Sequence, residues 1–222
     1  MKNTKIVSSY DELLLKSINE PLSKLFPLAL LLAIEIKNAN FSKWLRLEMN
    51  GYWDTNQALT EDVEVPKYRT IAGQHKDHFG QILVVSQKNF DFVNTRRIRN
   101  GVEELERFSI TNNNLTIQDP HATEILKKNF DFDAVEFSFN PIQLVSVINA
   151  IRTRFIEWLT KIQPSIDNIR KSIEKNAPNV NASKKKEKKW YQHPVVIAAL
   201  ITASGAIITA IIIAIITNSK SL

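Results

Sequence analysis

Near the N-terminus, apolar residues recur at intervals of three and four in three successive stretches. Ser9-Tyr10-Asp11-Glu12 has the spacing of a capping box and precedes Leu13, Leu14 and Ile18, which predicts a helix opening at Ser9 and interrupted at Pro21. Leu22, Leu25, Phe26, Ala29, Leu32, Ala33 and Ile36 predict a second helix. Its apolar run, Leu25 to Ile34, is too short to cross a bilayer and runs into Glu35 and Lys37, so it reads as a core helix. A third helix is capped by Asn40, turns Phe41, Trp44, Leu45 and Met49 inward, and stops at Asn50-Gly51, where glycine relieves the left-handed position.

The pattern then changes. Val63, Val65, Tyr68 and Ile71 alternate around Pro66, as in an edge or bent strand. Gly73 to Gly80 reads as a loop, and Gln81 to Val85 as a buried strand. Residues 94–108 read as a helix with Ile98, Val102, Leu105 and Phe108 on one side. Asn112, Asn113 and Asn114 mark a turn before Leu115-Thr116-Ile117, and Asp119-Pro120 opens a short helix as N-cap and first residue, running to about Asn129. Val135, Phe137 and Phe139 alternate as a half-buried strand.

Asn140-Pro141 opens the longest of these helices, with Leu144, Ile148, Ile151, Phe155, Trp158 and Ile162 as its stripe. Pro164 should kink or restart it, and Ile166, Ile169 and Ile173 continue the period. Helices at both ends with a few strands between make the fold class α+β, mostly helical. No repeat with a period of 20–50 residues is visible.

From Asn176 the composition shifts to Asn, Pro, Ala, Ser and Lys, that of a flexible tether. Beyond it, Val195 to Ile216 is 22 residues without a charge, 18 of them Ala, Val, Ile or Leu. As a helix it would span roughly 33 Å, enough for a bilayer core of about 30 Å. Lys184, Lys185, Lys186, Lys188 and Lys189, then Trp190 and Tyr191, precede this stretch, whereas only Lys220 follows it. That asymmetry predicts a membrane interface at these seven residues, with the large N-terminal part cytoplasmic and the C-terminus outside. The lysines either fix topology alone or also meet anionic lipid. Ala199, Ala203, Ala206 and Ala210 repeat as a heptad seam; Ala198, Thr202, Ala206, Ala210 and Ala214 repeat at every fourth position. Small residues let helix backbones approach closely in lipid, so either stripe predicts self-association into a homo-oligomer. The domain plan is 1–175 cytoplasmic domain, 176–193 polybasic linker, 194–217 transmembrane helix and 218–222 short extracytoplasmic tail.

Composition sharpens this plan mainly by exclusion. The chain carries 29 Lys and Arg against 23 Asp and Glu, a net +6, but the segment Lys184–Lys189 holds +4 of it and Lys220 one more. Residues 1–183 are left at +1, so the basic balance marks a tail rather than a nucleic-acid surface. With no Cys there is no disulfide scaffold or thiol nucleophile. No phosphate-cradling glycine loop is present, and no cofactor is expected.

Three clusters merit inspection for chemistry. His75 and His78, with Asp77, could hold a metal on one helical turn, with His121 the other histidine candidate in the folded part, but they read as an exposed polar loop. Asp62, Glu64 and Lys67 suggest a nuclease acidic set without its compact spacing. Arg96, Arg97 and Arg99 match phosphate chemistry, yet Glu103, Glu104 and Glu106 follow at once, as in a solvated helix with internal ion pairs.

Several segments resemble a known family: Pro21-Leu22-Ser23-Lys24-Leu25, Trp44-Leu45-Arg46-Leu47-Glu48, Asn50-Gly51-Tyr52, Val65-Pro66-Lys67-Tyr68-Arg69, and later Ile151-Arg152-Thr153-Arg154-Phe155-Ile156-Glu157-Trp158-Leu159. In this order, over roughly residues 9–170, they resemble the AbiTii-type domain of bacterial abortive-infection proteins. The resemblance implies a role in defence against phage and transfers no catalytic residues. Its motif residues Asn50, Gly51, Tyr52, Pro66, Tyr68, Arg69, Arg152 and Trp158 are candidates for structure or partner binding; Arg69 and Arg152 in particular could pair with buried carboxylates. Together these readings predict a non-enzymatic, single-pass protein of the bacterial inner membrane. Either it is an effector whose clustered spans perturb the membrane, or an adaptor for another defence-system protein. No nucleic-acid partner is expected.

Overall fold

The computed structural model describes residues 2–83, 93–118, 120–134 and 136–176. The polybasic run, its Trp190-Tyr191 flank, and the Val195–Ile216 stretch with its alanines lie outside these residues, as do Asp119, Val84, Val85 and Val135. Among the described residues no helix is long and apolar enough to cross a membrane.

The described chain is mostly helical with two small antiparallel sheets, an α+β arrangement. Helices α1 (Lys2–Lys16), α2 (Leu22–Glu35) and α3 (Ala39–Asn50) come first. A 3₁₀ turn (Lys67–Arg69) leads into β1 (Thr70–Ala72), followed by β2 (Gln74–Lys76), β3 (Thr95–Arg97), α4 (Val102–Ser109), β4 (Leu115–Ile117), α5 (Pro120–Phe130), β5 (Glu136–Phe139) and α6 (Ile142–Asn176). Strand β1 pairs with β3, setting Ile71 opposite Arg96; β5 lies between β2 and β4, setting Phe137 opposite both His75 and Ile117.

Helix α6 is the axis of the core. Its stripe Leu144, Ile148, Ile151, Phe155, Trp158 and Ile162 is buried against α1, α4 and β1. Phe26 of α2 meets the Phe155 ring edge-on at 5.5 Å, and Phe41 of α3 stacks on Trp158 at 3.9 Å. Pro164 does not restart the helix: α6 continues for 35 residues. A proline in a helix interior costs about 3 kcal/mol. Burial of Ile162 and Ile166 on either side offsets that, at about 1.5–3 kcal/mol each.

The structure alters the expected boundaries elsewhere. Helix α1 begins at Lys2, so Ser9 is interior and the capping box does not open it. Ile6, Tyr10 and Leu13 form one buried stripe, and tertiary burial carries the helix back past the local signal. Asn38, not Asn40, caps α3, its side chain accepting the Phe41 N–H at 3.1 Å. The expected bent strand around Pro66 is a 3₁₀ turn followed by β1. The expected loop Gly73–Gly80 contains β2, because Gln74–Lys76 complete the ladder of β5. Ile82 forms only an isolated bridge with Lys76 and is 46% exposed, so the Gln81–Val85 segment does not begin as a buried strand.

Residues 94–108 are not one helix. Thr95–Arg97 form β3, and α4 starts only after Gly101. The carbonyls of Ile98 and Asn100 are drawn to the Arg69 guanidinium, and Gly101 is pressed against α3: a Cβ there would lie 2.2 Å from the Met49 carbonyl oxygen.

Candidate functional site

The inward stripe of α3 contains one residue of the wrong polarity. Glu48 lies among Trp44, Leu45 and Met49 and is fully buried. A carboxylate there is tolerable only if the protein replaces its water. Tyr52, just past the Gly51 turn, donates its hydroxyl to Glu48 Oε1 at 2.7 Å, and Tyr68 donates to the same oxygen at 2.5 Å. Arg69 donates from Nε at 3.2 Å and Nη2 at 2.5 Å to Oε2. Its Nη1 donates to the carbonyls of Ile98 at 3.0 Å and Asn100 at 2.8 Å. Both side chains of this pair are 0% exposed.

The 3₁₀ turn delivers Tyr68 and Arg69 together. Pro66, extended at φ −60°, accepts the Arg69 N–H at 3.0 Å and sets the turn. Gly51 adopts φ +80°, and a Cβ there would lie 2.5 Å from the Arg99 carbonyl oxygen; only glycine lets Tyr52 reach back beneath α3. Trp44 Nε1 donates to the Tyr68 hydroxyl at 3.1 Å, and the Arg69 guanidinium lies over the Tyr52 ring at 4.8 Å. Burial, reinforced by the Glu48 charge, pushes the Tyr68 phenol up to about 12 and the Tyr52 phenol higher still. Both phenols are therefore neutral donors at physiological pH rather than bases. The cluster is a closed, fully partnered knot joining α3, the 3₁₀ turn and the approach to α4.

Arg152 and Trp158 belong to other parts of the core. Arg152 donates from Nη1 to the Ser17 carbonyl at the end of α1; burial lowers its pKa, while the Glu106 charge opposes that. Glu106 of α4 in turn closes the N-terminus of α2, accepting from the Leu22 N–H at 2.6 Å and the Ser23 hydroxyl at 2.5 Å. Pro21, the N-cap, has no side chain that could do this. Trp158 stacks in the aromatic core. Asn50 is exposed at the end of α3, and no contact among the described residues explains it.

The other candidate clusters do not converge. His75 is buried rather than in an exposed loop: its Nε2 lies 3.0 Å from Arg96 Nη2, beside the Phe137 ring, whereas His78 is exposed. Asp77 accepts the backbone N–H groups of Phe79 and Gln81, each at 2.8 Å, closing the hairpin turn. The side chain of His121 is not among those described. Among the described residues no group of three or more His, Asp or Glu could hold a metal. Glu64 pairs with Arg97 at 3.1 Å on the surface, and Asp62 bonds Thr60, so no acidic set assembles. Nor do Arg96, Arg97 and Arg99 form ion pairs with the α4 glutamates. They precede the helix, and Glu104 accepts from the Gly101 N–H at 3.3 Å and Asn100 Nδ2 at 3.0 Å instead.

Tyr52, Tyr68 and Arg69 are among the candidate motif residues; Glu48, which ends the family segment Trp44–Glu48, is not. The signal was present: a lone carboxylate on an otherwise apolar helical stripe requires a buried cation.

No curated protein and no solved structure matches the chain. The AbiTii family model matches residues 11–194, a stretch that includes both the knot and the Glu106–Arg152 cluster. The chain therefore belongs to the AbiTii family, which suggests a role in bacterial abortive-infection defence.

Proposed function

We propose that this defence protein is held at the bacterial inner membrane by residues 194–217, with its α+β domain in the cytoplasm. In this reading it is a non-enzymatic effector: the domain responds to an infection signal or partner protein, and clustering of the spans through Ala206 and Ala210 perturbs the membrane. The uncharged Val195–Ile216 stretch, preceded by five lysines and followed by one, is the observation that carries it. The AbiTii membership supports the defence context.

The decisive experiment substitutes both Ala206→Leu and Ala210→Leu. These positions lie on both small-residue stripes, so added bulk blocks close helix approach whichever crossing hand applies, while hydrophobicity is retained. Loss of dye entry and of phage protection, with the protein still in the membrane fraction, is the outcome expected of an effector. Wild-type permeability and protection would instead make the span an anchor only, and the protein an adaptor. Reporters fused at either end test the topology separately; a cytoplasmic C-terminus would overturn it.

A further inference from the structure

On the face of α3 opposite the knot, the structure holds a groove of about 550 Å³ between α3, the end of α2 and the loop around Ala58. The groove is open to solvent, and its volume falls in the size range of small-ligand sites. Lys37, Lys43 and Arg46 line it, no carboxylate among the described residues does, and Ile34, Ala39 and Ala58 supply apolar wall. The N-terminal end of α3, the positive end of its dipole, opens into the same space through Asn38 and Ala39. Lys43 is partly committed: its Nζ donates to Thr60 Oγ1 at 2.7 Å, and Thr60 bonds Asp62, whose carboxyl is held below the usual range by that hydroxyl and by the lysine's charge. Lys37 and Arg46 form no ion pair among the described residues.

Lys37 is also in an unusual place. It follows the α2 C-cap with φ +57°, a left-handed position that normally takes glycine or asparagine. A lysine there is a local disadvantage for the fold, and its side chain borders the groove.

From the cavity, its cations and its apolar wall together, we infer that this groove binds a small organic phosphate. Lys37 and Arg46 hold the phosphate, and the wall formed by Ile34, Ala39 and Ala58 covers the organic body. The arginine fork suits paired phosphate oxygens and the lysine acts as a point charge. The inference goes beyond the effector reading and does not depend on the tail, so either can fail while the other stands.

The test uses the full chain in detergent micelles at about 100 mM salt, titrated calorimetrically with ATP, inorganic pyrophosphate and adenosine as probes. ATP should bind with a dissociation constant below about 1 mM, more tightly than pyrophosphate or adenosine. Lys37→Gly and Arg46→Gln should each weaken ATP at least fivefold. Because glycine suits φ +57°, Lys37→Gly should leave the melting temperature unchanged or raised, so lost affinity cannot be ascribed to unfolding. Replacing Lys184, Lys185, Lys186, Lys188 and Lys189 by Gln should leave ATP affinity unchanged. Failure of ATP to bind, affinity that survives both groove variants, or binding that disappears with the tail lysines would each overturn the proposal. Equal affinity for pyrophosphate and ATP would overturn its organic part. A 20-base-pair DNA duplex that binds through Lys37 and Arg46 where ATP does not would overturn the small-ligand assignment.

Discussion

Helix α3 carries charge on two faces and the protein treats the two in opposite ways. On the inner face, Glu48 is removed from water and every polar atom it offers is answered by Tyr52, Tyr68 or Arg69. On the outer face, Lys37 at the helix entrance and Arg46 on its third turn are exposed beside a groove that no carboxylate among the described residues lines. The inner charges are fixed by the fold because an unpartnered charge there is prohibitive. The outer ones cost little in desolvation, although Lys37 carries a backbone cost at φ +57°, and both remain open to a ligand. Most residues that carry the family resemblance fall on the inner side, which is why they explain the architecture of the domain better than its activity.

Unpairing the inner charge should have the largest effect. Arg69→Met leaves Glu48 buried without a cation and should cost about 3–5 kcal/mol, read from urea unfolding; a loss below about 1 kcal/mol would mean water reaches the knot. Gly101→Ala comes next. Its Cβ would lie 2.2 Å from a backbone carbonyl oxygen that no rotamer change can move, so a loss of about 2 kcal/mol or more is expected in the same assay.

Alkaline titration probes the inner face without a large structural change. Tyr68 has a raised folded pKa, so its contribution is fully present below the unfolded pKa near 10 and is lost as pH rises through about 12. Stability should fall over that window. Tyr68→Phe should flatten part of the fall, while costing about 1 kcal/mol at neutral pH through its lost hydrogen bonds. Smallest of all is the surface control, Glu64→Gln. It breaks an ion pair with Arg97 whose carboxylate is 86% exposed, and should change stability by less than about 1 kcal/mol. A loss there comparable to that of Arg69→Met would erase the contrast between buried and exposed charge.

The helical parts were legible in the sequence wherever burial imposes a period of three and four. Helix α2 and the α6 stripe fall where Leu25, Phe26, Ala29 and Ile148, Ile151, Phe155 place them. The short strands were not. Thr95-Arg96-Arg97 has no apolar alternation, and its pairing with β1 is decided by distant partners, among them the Arg69 guanidinium that claims the next carbonyls. The same holds for Gln74-His75-Lys76, whose place beside β5 depends on Phe137 some sixty residues away. Of the knot, the family segments hold all four members, Glu48 included, but only Tyr52, Tyr68 and Arg69 stood out, because one Glu on a helix resembles any surface Glu until its stripe is drawn. Of the groove, the spacing of Lys43 and Arg46 puts both on one face of α3, but Lys37 joins them only through the turn between α2 and α3, where its own backbone is left-handed.

The pairing of α1 with α6 sets a timetable for synthesis. Asp11 and Arg170, 2.7 Å apart in the finished fold, belong to helices at opposite ends of the described chain. At translation rates of about 5–20 residues per second, roughly 6–25 seconds separate the completion of α1 from the start of α6. Throughout that interval Ile6, Tyr10 and Leu13 have no α6 to cover them. Until α6 exists, only α2, the other helix packed on α1, can shield that stripe, and what α6 would cover stays open to chaperones and neighbouring chains. Its yield in the cell should consequently depend on elongation speed more than its equilibrium stability would suggest.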